Sequence, residues 1–129
     1  MKKALLFVAF LLIGVSQTVF AQENSVVISA FQKSNAGLLS AQLSDEVTFI
    51  NGATNDTFSK SEFVAQLNRF IRANSPSEIE VIHEGARGDS RFMICSLTSA
   101  KGSFRIHIFF KKTNNQYLIN QVRIENSNE

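Results

Sequence analysis

Apolar and polar positions change their spacing several times along this chain, and the clearest regular stretch is Gly102 to Glu125. There Phe104, Ile106, Ile108 and Phe110 alternate with Ser103, Arg105, His107 and Phe109, the period of two that sends one set to each face of a sheet. Thr113, Asn114 and Asn115 break the run, and a return strand puts Leu118, Val122 and Ile124 on one face and Tyr117, Ile119, Gln121 and Arg123 on the other. Burying the four apolar side chains of the first strand contributes roughly 6–12 kcal/mol, whereas ordering the hairpin costs about 1–2 kcal/mol per residue. The hairpin therefore needs a cover from the rest of the chain.

The upstream pattern supplies it. Ser25 is placed to cap a helix with Val27, Ala30 and Phe31 on one face, and Asn35 a second short helix carrying Leu38, Leu39 and Leu43. From Asp45, Val47 and Phe49 alternate with Glu46, Thr48 and Ile50, Asn51-Gly52 signals a tight turn, and Thr54 to Phe58 returns. Ser59 and Glu62 form a capping box, with Phe58 and Phe63 as its hydrophobic staple. Phe63, Val64, Leu67, Phe70 and Ile71 then recur at the 3.6-residue period until Asn74 and Pro76 end the helix. Ser77 to Glu84 predicts a strand with Ile79, Val81 and His83 on one face, Gly85 to Asp89 a turn, and Arg91 to Thr98 a strand apolar on both faces. The order predicts an α+β fold: two short N-terminal helices, then a long helix packed on a curved antiparallel sheet.

The first residues stand apart from that pattern. Lys2 and Lys3, the apolar run Ala4 to Val15, and Val19-Phe20-Ala21 have the layout of a secretory signal peptide over residues 1–21, cleaved near Ala21. The run is shorter than the about 20 apolar residues a bilayer crossing needs, and no cysteine follows it to carry a lipid. A single domain over residues 22–129 and a periplasmic or secreted location are expected. Loss of Lys2 and Lys3 leaves 11 basic residues against 11 acidic ones, so the formal net charge of +2 falls to zero. Nothing then points to nucleic acid or an anionic membrane surface. Cys95 is the one cysteine, expected as a buried thiol.

Phe58-Ser59-Lys60-Ser61-Glu62, Ile82-His83-Glu84-Gly85, Gly102-Ser103-Phe104-Arg105-Ile106 and the segment Tyr117 to Glu125 resemble a family of short exported bacterial proteins, domain of unknown function 4783. The element order likewise resembles the cone of the nuclear transport factor 2 superfamily, with its cystatin-like relatives. The resemblance implies that cone and an extracytoplasmic location. It implies no activity and carries over no catalytic residue.

Candidate chemistry is sparse. His83, whose neighbours by strand parity are apolar, can act as an acid or base with Asp45 or Glu84, in the manner of an isomerase or dehydratase. Superfamily enzymes of that kind use a carboxylate inside the cone, to which Asp45 or Glu46 is the nearest counterpart. Two histidines without spaced partners do not make a zinc site, and no metal or cofactor is expected. Arg87-Gly88-Asp89 and Asn55-Asp56-Thr57 spell short recognition patterns that ordinary turns also produce. Arg105, His107, Phe109, Tyr117, Ile119 and Arg123 share one face by parity, an apolar stripe edged by charge. Two functions follow as expectations. The first is a non-enzymatic domain that pairs with itself through that face and holds a small apolar ligand in the cone; the second is the enzyme built on His83.

Overall fold

The computed structural model describes residues 23–127; the expected signal peptide and its expected cleavage point lie outside them. Helix α1 (23–32) buries Val27, Ala30 and Phe31, and Ser25 lies within it rather than at its cap. Asn35 caps the next element as expected, but that element is a 3-10 helix (Ala36–Gln42), with the Asn35 side-chain oxygen accepting from the Gly37 N–H at 3.0 Å. The Ala36 N–H donates to Asn68 Oδ1 at 2.8 Å, tying the 3-10 helix to the long helix. That long helix, α2 (Lys60–Asn74), starts at Ser59, whose hydroxyl accepts from the Glu62 N–H at 3.4 Å. Its buried residues are Phe63, Leu67, Phe70 and Ile71. It ends at Ser75 in the left-handed region (φ 48°), one residue before Pro76.

Six strands form one sheet: β1 (Leu43–Asn51), β2 (Thr54–Ser59), β3 (Pro76–Arg87), β4 (Ser90–Ser99), β5 (Gly102–Thr113) and β6 (Gln116–Asn126), ordered β2-β1-β6-β5-β4-β3. Neighbours run antiparallel, save β1 and β6, which run parallel with Phe49 beside Val122. Alternation along a strand fixes which face a residue takes and says nothing about which strand lies beside it, so this pairing was not legible. The covered face carries Val47, Phe49, Met93, Cys95, Leu97, Ile106, Ile108, Phe110, Val122 and Ile124, all buried against α1 and α2. Edge-to-face rings lock the layers, Phe49 to Phe63 at 5.6 Å between centroids and Phe70 to Phe104 at 5.2 Å.

Two β-bulges correct the parity read from the sequence. In β6, Phe109 faces Gln121 but Phe110 faces Ile119, so Asn120 is the extra residue. The slip reverses everything before it: Ile119 enters the core, fully buried, and Tyr117 packs against that core. In β3, Val81 faces Cys95 but His83 faces Ile94, making Ile82 the extra residue and turning His83 to the opposite face from Val81. β3 also runs to Arg87, so Gly85 lies within the strand and the turn is made at Gly88 (φ 58°) and Asp89. No helix of the described residues is long and apolar enough to cross a membrane.

Candidate functional site

The three groups expected to do acid–base chemistry are dispersed. Because of the Ile82 bulge, His83 is exposed on the outer face of the sheet, opposite Ile94, not inside the cone. Asp45 has a fully exposed side chain, with Lys60 Nζ at 3.7 Å as its partner. Glu84 is exposed too, accepting from Asn24 Nδ2 of α1 at 2.7 Å. β1 and β3 stand four strand spacings apart in the sheet, about 19 Å. The isomerase or dehydratase reading loses its constellation on these positions. Cys95 is fully buried on the covered face, and burial pushes its thiol up to about 12 from 9.0. A thiol held protonated is no nucleophile at neutral pH. No group of three or more His, Cys, Asp or Glu among the described residues is placed to hold a metal ion.

A polar cluster that the sequence did not reveal lies where α1 meets β4 and β6. Arg91 Nη1 donates to Glu23 Oε2 at 3.1 Å, with the side chains 22 % and 17 % exposed, and the guanidinium lies 3.7 Å over the Tyr117 ring. The Tyr117 hydroxyl donates to the Gly88 carbonyl at 3.4 Å. This pins the start of α1 to the sheet and places Tyr117 in the packed side of the molecule. Tyr117 and Ile119 therefore do not belong to the outer stripe where strand parity put them. No local signal marks the Asn120 bulge, since asparagine is as ordinary in a strand's polar row as in a bulge.

The remaining members of the outer face hold together. Phe92 pairs with Phe109 and Ile94 with His107 across β4 and β5, and His107 pairs with Arg123 across β5 and β6. Arg123 in turn lies beside Ile50 of β1. Phe92 is 38 % exposed, and Ile94, Phe109 and Ile50 are half-buried by their neighbours alone. Charge borders this apolar row. Arg123 Nη2 sits 2.7 Å from Glu125 Oε1, and His107 Nε2 lies 3.3 Å from Glu125 Oε2 without the alignment of a hydrogen bond. Arg105, exposed, stands opposite Glu125 on one side and Ser96 on the other. Phe92 and Ile94 were readable as outer residues from their alternation with Met93 and Cys95, but a strand apolar on both faces gives no sign of which face is covered.

The cone's interior is occupied by side chains: Phe31, Phe49, Phe63 and Phe110 belong to one buried cluster, with Phe49 and Phe63 edge to face. Clefts lie at the surface instead. One of about 410 Å³ adjoins the Glu23, Arg91 and Tyr117 cluster, and one of about 380 Å³ lies along the start of β3.

Comparison with known proteins agrees with this architecture. The profile described as Domain of unknown function (DUF4783) matches residues 24–125. A crystal structure of a DUF4783 family protein from Bacteroides ovatus is 36 % identical, with a TM-score of 0.76 over 81 % of this chain and 94 % of that one. Another from Bacteroides fragilis is 37 % identical, with a TM-score of 0.73 over 79 % and 96 %. A protein of unknown function from Silicibacter pomeroyi, described as similar to nuclear transport factor 2, is 10 % identical and matches with a TM-score of 0.62 over 88 % and 98 %, a likeness of fold. No curated protein matches.

Proposed function

We propose that this chain, which belongs to the DUF4783 family, is an exported, non-catalytic interaction module that pairs with a second copy of itself through the outer face of its sheet. The observation that carries this reading is the outer-face row of exposed Phe92 with half-buried Ile94 and Phe109, bordered by Arg105, Arg123 and Glu125. A two-fold axis near Phe109 sets apolar row on apolar row and offers Glu125 of each copy to the arginines of the other, because the patch carries both signs of charge. With a net charge of zero after Ala21, long-range repulsion between copies is absent. The filled interior weighs against a small apolar ligand in the cone, and the outward turn of His83 against an enzyme centred there.

Export rests on Lys2, Lys3, the apolar run and Ala21, and is supported by a family match that starts at residue 24, just downstream. Light scattering on the chain from Gln22 tests the pairing. The expected result is a dimer that Phe109→Glu converts to a folded monomer. A monomer at every concentration, or a dimer indifferent to Phe109→Glu and Ile94→Glu, overturns it.

A further inference from the structure

Another exposed feature without an assigned role is the long sheet edge formed by β3. β3 is the last strand in the order, with β4 on one side and, among the described residues, no strand on the other. Such an edge presents backbone N–H and C=O groups ready to pair with another extended chain. The Ile82 bulge divides it, a second register shift at Ser77 sets off Pro76, and the regular run between them, Glu78 to Val81, is flanked by two adjoining clefts.

The two clefts share Gln32, Ser77, Glu78 and Ile79, and strand alternation sets acidic side chains toward one and apolar ones toward the other. On the outer flank, Glu78 and Glu80 face the same way as Thr98 and Ser96, their partners on β4, and with Ser77 and Gln32 they line the space of about 380 Å³. Neither carboxylate has an ion-pair partner among the described residues. On the inner flank a smaller cleft of about 80 Å³ adds Phe31 of α1 and Pro76 to the shared Gln32, Ser77, Glu78 and Ile79. A strand added here alternates its side chains between these flanks, so residues i and i+2, about 7 Å apart, reach Glu78 and Glu80 while residue i+1 meets Phe31 and Ile79.

From this geometry we infer that the Glu78–Val81 edge takes up an extended basic peptide segment of the pattern cation–apolar–cation by strand addition. A second copy of this chain does not fit the same edge. Antiparallel pairing of β3 with its own copy about Val81 puts Glu78 opposite Glu84, a like-charge pair, and meets the bulge at Ile82. The acidic side chains that block self-association at this edge are the ones that favour a basic strand.

The test uses the chain from Gln22 and a short peptide alternating lysine with valine, followed by calorimetry and by backbone amide shifts. Binding is expected, with shifts centred on Ser77 to Val81. The double change Glu78→Lys with Glu80→Lys, both at exposed positions, weakens it about tenfold or more, and methylation of alternate peptide nitrogens abolishes it. Phe109→Glu leaves it unchanged, which separates this site from the outer face. No binding at millimolar peptide, equal binding of the N-methylated peptide, or shifts mapping elsewhere each overturns the inference.

Discussion

The ring of Phe92 lies against Gly85, its cross-strand neighbour, so closely that a Cβ at position 85 falls 2.5 Å from Phe92 Cε1. An aromatic ring here covers a glycine within a sheet's edge pair. Gly85→Ala is expected to push the ring into solvent and cost about 1 kcal/mol. In a Phe92→Ala background the same change becomes neutral or slightly stabilising, because only the lowered freedom of the unfolded chain remains. Urea titrations of the four proteins measure the coupling; additive effects overturn the contact as the cause.

Cys95 gives a pH signature. Its folded pKa is raised to about 12 from 9.0 by burial, so the folded state holds a proton that the unfolded state releases. Its contribution is complete below pH 9 and lost as pH rises toward 12, with a slope of about −1.4 kcal/mol per pH unit. The difference in stability between the natural chain and Cys95→Ala should follow that slope and be flat below pH 8. Iodoacetamide should label the thiol only in denaturant.

Arg91 holds α1 to the sheet through Glu23 and rests on Tyr117. Arg91→Ala leaves a half-buried carboxylate without its partner and is expected to cost about 2 kcal/mol; Glu23→Gln, which keeps an acceptor for the guanidinium, costs about half that. Amide exchange should quicken in α1 before it does in α2. Equal protection of both helices in the Arg91→Ala protein argues against the tether.

Asn120 separates side chain from backbone. Its Oδ1 is buried without a hydrogen-bond partner, so Asn120→Ala should be neutral or stabilise by up to about 1 kcal/mol. Deleting the residue instead removes the bulge and turns Ile119 and Tyr117 out of the core, and the deleted chain should lose its cooperative unfolding transition. Retention of a sharp transition shows that β6 can slide to restore the register.

Those two bulges mark the limit of what the sequence made legible. The capped long helix, the Asn35 cap, the strand pair at Gly52 and the apolar face of β5 follow from local rules, each decided by residues within a few positions. Face assignment in β3 and β6 depends on adding one residue against a partner strand, which no period within the strand records. Hence His83 and Ile119 changed sides while Ile106, Ile108, Arg105 and His107 did not. The Arg91 and Tyr117 stack and the Glu23 pair join residues far apart in the chain, and no alternation foretells them.

The place of β6 in the sheet also governs when the molecule can form at all. The last described strand lies between β1 and β5, so until Gln116–Asn126 is available the chain holds two separate fragments, β2-β1 and β5-β4-β3, neither able to close over α2. Contacts of such long sequence separation form late and slowly. A nascent chain is thereby kept open until its final strand arrives.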